Sequence, residues 1–453
     1  MDCTAGSTLP HGEGSPSKPD RGNRDKSESS SVTMADEFPA HGRRMSSLER
    51  RVHGWSWQAF PVGMGTSAVF LTFSGRSEPS KTLDILELAF FILATIIFCV
   101  NSLTLLVQAI LYPKQAWRLL KHPQKSVFVP LIVLSYAGIV IGLVEYGHVS
   151  SDVAYILFWS YVVFSVVTCF PMLMIWFNQS HDIAEFSPSY AFLIFPMMLV
   201  GIVAYIVLRA VDASEERSIG ILLTGYFFQG LGFFMTFFYI CIYILRIIMT
   251  GFLSGPHATG AFIACGPPGF TALALIQLGQ NARHILPRHN LISPNAGEIW
   301  FAGSVMASVM LFGLAVFFFL FGAIPYWFKV EKRLHAVLAC WALTFPNVGW
   351  LLALRCLGDV FDLQGFKILH LMFCIALVVV WFVLFVLTIV AFSKGLIFKS
   401  EEEDVVKDRF CLGGGRKDHT PSEKDCPVCP GTATSDSEAS EFRRSPPLVL
   451  ENV

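Results

Sequence analysis

Charge is what this sequence has least of. Only 15% of its 453 residues are Asp, Glu, Lys or Arg, against 53% hydrophobic, and the mean hydropathy is +0.56. A soluble chain carries about a quarter charged residues to keep its surface wet, so one water-exposed globule is excluded. Chemistry-bearing motifs are equally scarce. There is no GxxxxGK[ST] phosphate loop, no HExxH pair and no GxSxG elbow, hence no ATPase engine and no hydrolase centre of those types. Gly63-Met-Gly65-Thr-Ser-Ala68 matches G-x-G-x-x-A, but it lies inside an apolar run with no strand before it, and a dinucleotide site is rejected. The N-terminal region holds no apolar h-region, so a cleavable signal peptide is not expected.

Cysteine is present but badly placed for cross-linking. Of the 11 cysteines, Cys99, Cys169, Cys241, Cys265, Cys340, Cys356 and Cys374 lie within apolar runs, where they read as small hydrophobes. Cys426 and Cys429 form a lone CPVC with only Cys411 and His419 nearby, which reads as a solvated segment rather than a zinc site. No metal or cofactor is expected. A net charge of −1 gives no sign of a nucleic-acid partner.

What is there is apolar run after apolar run between two polar tails. Crossing the ~30 Å hydrocarbon core takes about 20 mostly apolar residues. Runs near 55–73, 83–112, 127–146, 153–177 and 188–208 meet that test, and so do runs near 219–250, 261–280, 297–324, 333–356 and 366–393. The expected fold is an all-α integral membrane protein with ten transmembrane helices, its membrane domain spanning residues 54–395. Residues 1–53 and 396–453 are expected to be disordered tails. An even number of spans puts both tails on one side. Basic residues divide equally between the two sets of loops, so Arg43, Arg44, Arg50, Arg51, Lys394 and Lys399 decide the orientation. The positive-inside rule then makes both termini cytoplasmic.

Proline carries the next layer. Pro61, Pro130, Pro196, Pro268 and Pro346 fall in the odd-numbered spans, each with glycine close by, at intervals of roughly 70 residues. That is the length of one helical hairpin, so five hairpins follow, each with a broken and an unbroken helix. An interior proline costs about 3 kcal/mol and frees a carbonyl, and in hydrocarbon that carbonyl must face protein or a wet cavity. Five proline-kinked helices are therefore expected inside, around a central pore, with the unbroken ones facing lipid. Gly138 and Gly142 form a GxxxG read as close helix packing.

Few charges lie near the spans. Arg209 and Arg355 sit towards span ends, where they either snorkel to the interface or ring the pore mouth and gather anions. Glu145 and His148 close the third span and are candidates for proton coupling. The deep pore would then be almost uncharged, lined by the hydroxyls of Thr66, Ser135, Thr271 and Thr344 and by phenylalanines, as suits an anion that must bind weakly and leave.

Residues 57–67 (WQAFPVGMGTS), 122–135 (HPQKSVFVPLIVLS), 193–201 (LIFPMMLVG), 266–277 (GPPGFTALALIQ) and 341–350 (WALTFPNVGW) resemble the tellurite-resistance/dicarboxylate transporter family. That family includes plant guard-cell slow anion channels, fungal malic acid transporters and fungal sulfite exporters. The resemblance covers the membrane domain, and it implies a ten-helix protomer around its own pore, assembled as a homotrimer. It also implies a gate: the phenylalanine that plugs the pore in known members matches Phe345. Phe60 and Phe195 precede prolines in the same way and would narrow the pore beside it, unless these rings are simply packed between helices. The HPxxSxFVP and GPPGFTAL stretches resemble the malic acid transporters most. The expected function is C4-dicarboxylate transport, malate foremost, in a plasma membrane; sulfite efflux and a general anion channel are the alternatives, and a non-transporting scaffold is a reading from another class.

Overall fold

The computed structural model describes residues 46–74, 80–329 and 334–402, with 404, 405 and 408 beyond them. Among the described residues the structure is helical, without strands. The elements begin with α1 (Ser47–Gly54), α2 (Phe60–Phe73), α3 (Lys81–Leu111), α4 (Pro113–Lys121) and α5 (Pro123–Ser126). They continue with α6 (Leu131–Tyr146), α7 (Ser151–Phe177), α8 (Phe195–Val207), α9 (Glu216–Thr250) and α10 (Gly266–Arg288). The last four are α11 (Ala296–Lys329), α12 (Val337–Cys340), α13 (Phe345–Val360) and α14 (Gln364–Ser393). Among the described residues, seven helical stretches are long and apolar enough to cross a membrane: α3, α7, α9, α11, α14, Ala258–Arg288 and Val337–Val360. The shorter α6 and α8 are apolar too. The molecule is a multi-pass helical membrane protein.

Two kinds of helix alternate along the chain. Helices α3, α7, α9, α11 and α14 run 27 to 35 residues, and only 17–33% of their apolar windows is buried. A helix that leaves so much apolar surface uncovered is built for lipid. Helices α2, α6, α8, α10 and α13 are shorter and mostly buried, and every residue of α8 is. Their contacts form a closed cycle: α2 touches α6, α6 touches α8, α8 touches α10, α10 touches α13, and α13 returns to α2. Each long helix packs on the short helix before it and on the next in the cycle, α3 on α2 and α6, α14 on α13 and α2.

Glycine sets how closely the short helices approach. A Cβ on Gly349 would stand 2.4 Å from the Phe270 amide nitrogen, and one on Gly269 would stand 2.6 Å from that of Trp350. The two glycines thus let the α10 and α13 backbones meet. The GxxxG of α6 works similarly, with Gly138 against Ser67 of α2 and Gly142 under the Phe91 ring of α3.

None of the five recurring prolines sits in a helix interior. Pro61, Pro196, Pro268 and Pro346 occupy the first turns of α2, α8, α10 and α13, and Pro130 immediately precedes α6. Short 3-10 segments come before them at Trp57–Ala59, Pro188–Leu193, Pro256–Cys265 and Trp341–Leu343. Each apolar run is divided rather than kinked. At a helix start the missing N–H is one that would have no helical partner anyway, so the interior penalty is avoided. Polar side chains of the long helices reach the short helices near these breaks. Asn101 of α3 donates to the Ala59 carbonyl at 3.1 Å, Tyr161 of α7 to the Pro196 carbonyl at 2.8 Å, and Ser308 of α11 to the Ala272 carbonyl at 2.9 Å. Gln229 of α9 reaches the Thr271 hydroxyl at 2.8 Å, and Trp381 of α14 the Thr66 hydroxyl at 3.1 Å.

Order extends past the boundaries set from composition. Ser46 and Glu49 form a capping box that starts α1. His53 is buried with its Nδ1 2.8 Å from the Ser400 hydroxyl, and Trp55 stacks on Phe398 at 4.5 Å. The ends of residues 1–53 and 396–453 that adjoin the membrane domain are therefore folded on each other. Cys411, His419, Cys426 and Cys429 lie outside the described residues.

Two stability measurements follow. Gly349→Ala should lower the unfolding temperature of the detergent-solubilised protein, by the equivalent of about 1–3 kcal/mol for an overpacked site. Gly303→Ala, with nothing within 4 Å of the new Cβ, should leave it unchanged. Tyr161→Phe removes the shorter of two side-chain donors to the buried Pro196 carbonyl, leaving Ser165 Oγ at 3.4 Å, and should cost about 1 kcal/mol, read as a lower midpoint in the same thermal scan.

Candidate functional site

The first turns of the short helices, and the segments leading into them, border a single cavity of about 420 Å³. Pro61 and Met64 reach it from α2, Val127 and Leu131 from α6, and Tyr190 and Phe192 from the segment before α8. Thr259 and Ile263 lie before α10, and Trp341 and Phe345 lie at the start of α13. The first turns of α2, α6 and α13 thus border this space, together with the segments that lead into α8 and α10. A helix N-terminus carries about half a positive charge, and several gathered around one space favour an anion there. This end of the cycle is also the end at which α1 and Ser400 are folded, since Gln58 of the cavity wall follows α1 directly.

Of the three rings named as gates, Phe345 alone borders the cavity. It is 4% exposed and lies 5.2 Å from the Phe270 ring across the glycine contact of α10 and α13. Phe60 packs between Trp57 and Phe98, the latter on α3, and Phe195 packs edge-on against Phe192 at 5.5 Å. The four hydroxyls also part company. Thr66 accepts from Trp381 and Thr271 from Gln229, so both are engaged by long helices. Thr344 donates to the Trp341 carbonyl at 2.7 Å. Ser135 is buried, with no hydrogen-bond partner among the described residues.

The two arginines lie at the other end of the short helices, where the dipole ends are negative and cations are favoured. Arg209, just past α8, pairs with Glu145 at 2.5 Å. Arg355 in α13 donates to the Ser74 carbonyl at 3.1 Å and lies 3.8 Å from Asp359. Both charges are thus spoken for by protein groups. Glu145 is held in the Arg209 pair, while His148 is exposed in a left-handed turn at φ 46°.

Two residues escaped the reading of the sequence. Phe270 sits in the quoted GPPGF stretch, and its position right behind two prolines and a glycine was the available signal. Arg246, near the C-terminal end of α9, borders the cavity. It is the only Lys or Arg between Arg217 and Arg283, and so isolated a charge in a long apolar stretch marks it.

Comparison with known proteins assigns the chain. Residues 54–389 match the family described as voltage-dependent anion channel, SLAC1. The chain is similar to a putative malic acid transport protein of Schizosaccharomyces pombe, 26% identical over 380 residues, which are 80% of this chain and 86% of the other. A second S. pombe protein, a malic acid transport protein, is 26% identical over 369 residues, covering 79% and 83%. The sulfite efflux pump SSU1 of Arthroderma otae is 23% identical over 356 residues, covering 76% and 92%. With the family match running over most of its length, the chain belongs to the SLAC1/tellurite-resistance–dicarboxylate transporter family of membrane anion transporters.

Proposed function

We propose that this protein moves C4-dicarboxylate anions, malate foremost, across a plasma membrane along the axis of its five short helices, with Phe345 as the gate. The observation that carries this reading is one cavity bordered by the first turns of α2, α6 and α13 and by the segments leading into α8 and α10, with Phe345 in its wall. Helix dipoles draw the anion to that space, and the Phe345 and Phe270 rings then block the way forward until they turn aside. Malate is preferred as cargo because two relatives named for malic acid transport align over about four fifths of the chain.

The rest of the reading follows from the pattern of helices. Ten spans arranged as five hairpins put both termini on the side of the cavity, which the basic residues flanking the tails assign to the cytoplasm. Residues 54–395 form the transport domain, and 1–53 and 396–453 are cytoplasmic tails. Three protomers, each with its own pore, make the assembly. Ser135, buried without a partner, is the hydroxyl best suited to line the path, and Phe60 and Phe195 support the gate by packing behind it. Arg209 and Arg355 act at the far mouth, where an arriving anion competes with their carboxylate and carbonyl partners.

Radiolabelled malate uptake into proteoliposomes tests this, with wild type beside Phe345→Ala and with sulfite and chloride as competitors. Malate flux should rise several-fold in the alanine variant, provided that size-exclusion profiles of the two proteins agree. Sulfite flux without malate flux would move the chain to the sulfite efflux reading. No anion flux from either well-folded protein would overturn transport altogether.

A further inference from the structure

We infer that the cavity contains a carboxylate-recognition subsite centred on Arg246, which holds the anion before it meets Phe345. The inference rests on the transport reading above and names where its cargo is first bound. Arg246, near the C-terminal end of α9, forms part of the cavity wall. Its Nε donates to the Ala184 carbonyl at 3.2 Å and its Nη1 to the Gly251 carbonyl at 2.5 Å. Two carbonyls fix the plane of the guanidinium without neutralising it. Arg209, Arg217, Arg283, Arg288 and Arg355 each have an Asp or Glu within ion-pair distance. Among the described residues Arg246 has none.

A guanidinium carries five N–H donors. With two engaged, both hydrogens of Nη2 and one of Nη1 remain, a fork that matches the two oxygens of a carboxylate. The opposite requirement, a donor for the far end of a four-carbon dianion, is met on the same cavity. The Ser187 and Ser189 hydroxyls stand 3.2 Å apart there, beside Gly260, where a Cβ would approach Ser187 Oγ to 3.2 Å. Glycine at 260 keeps that wall clear. A volume of about 420 Å³ accommodates a small organic acid.

Glu185 borders the cavity as well, so Arg246 faces an anionic competitor in the same space. The balance has a purpose in a conduction path: attraction strong enough to recruit the anion, opposed enough to let it go. It also yields a test whose two arms point in opposite directions, which a merely structural role for Arg246 as a tie at the end of α9 would not produce.

The measurement is equilibrium binding of radiolabelled malate to the purified full-length protein in detergent, at constant ionic strength. Arg246→Gln should raise the dissociation constant about tenfold or more, the value of a hydrogen-bonded charge. Arg246→Lys, which keeps the charge and loses the fork, should fall between that variant and wild type. Glu185→Gln should tighten binding several-fold. Wild-type affinity in Arg246→Gln would overturn the subsite, and so would an absence of malate binding to the wild type. Binding that depends on Arg246 without any flux would keep the subsite and remove transport. Flux indifferent to Arg246 would remove the subsite alone.

Discussion

A backbone carbonyl buried away from water must find a donor, and the architecture follows from how that demand is met at five breaks in five apolar runs. Proline and glycine end the regular hydrogen-bond ladder near one end of each short helix. Where lipid surrounds the fold water cannot serve buried polar groups near these breaks, and the long helices supply partners instead: three meet backbone carbonyls and two meet the Thr66 and Thr271 hydroxyls. Asn101, Tyr161, Gln229, Ser308 and Trp381 come one from each of α3, α7, α9, α11 and α14, and each turns a polar group inward. A long helix is thus both a lipid-facing wall and a hydrogen-bond donor to the cycle inside it. This double duty explains why these helices tolerate polar residues amid otherwise apolar sequence.

The same breaks organise the electrostatics. Because every short helix starts at its proline, all five point the same way. The first turns of α2, α6 and α13 and the segments leading into α8 and α10 border one cavity, while the opposite, negative ends gather Arg209 and Arg355. Field of opposite sense at the two mouths comes from backbone orientation, with little formal charge in between. The proposed path, which relies on backbone dipoles, avoids the cost of a buried charge, about 2.5–3.5 kcal/mol on insertion scales. It also avoids holding an anion too tightly to release it. Arg246 and Glu185 then tune the entrance, where water is near and a charge is tolerable.

Much of this was legible in the residues. Apolar runs, the proline with nearby glycine that recurs in every other run, and the family motifs gave the helical membrane class and the inner and outer assignment. The position of each proline within its helix was not legible, because hydropathy marks the limits of a run but not the change from 3-10 to α within it. Phe60, Phe195 and Phe345 read alike in sequence, each directly before a proline. Only packing separates them, since Phe60 turns to Phe98 on α3 whereas Phe345 turns to the cavity. Likewise Thr66 and Thr271 looked like free hydroxyls until Trp381 and Gln229 were found against them.

The sequence by itself determined that this chain enters a membrane as helices, that alternate helices are broken, and which family it belongs to, because those properties depend on local composition and order. The tertiary structure alone decided which side chains face the cavity, which arginines meet a carboxylate among the described residues, and where α10 and α13 touch. Those properties depend on which way a helix is turned about its own axis. In helices apolar on every side, as α8 is, no hydrophobic stripe in the sequence fixes that rotation. It is set by contacts between residues far apart in the chain, such as Gly349 against Phe270 and Tyr161 against Pro196.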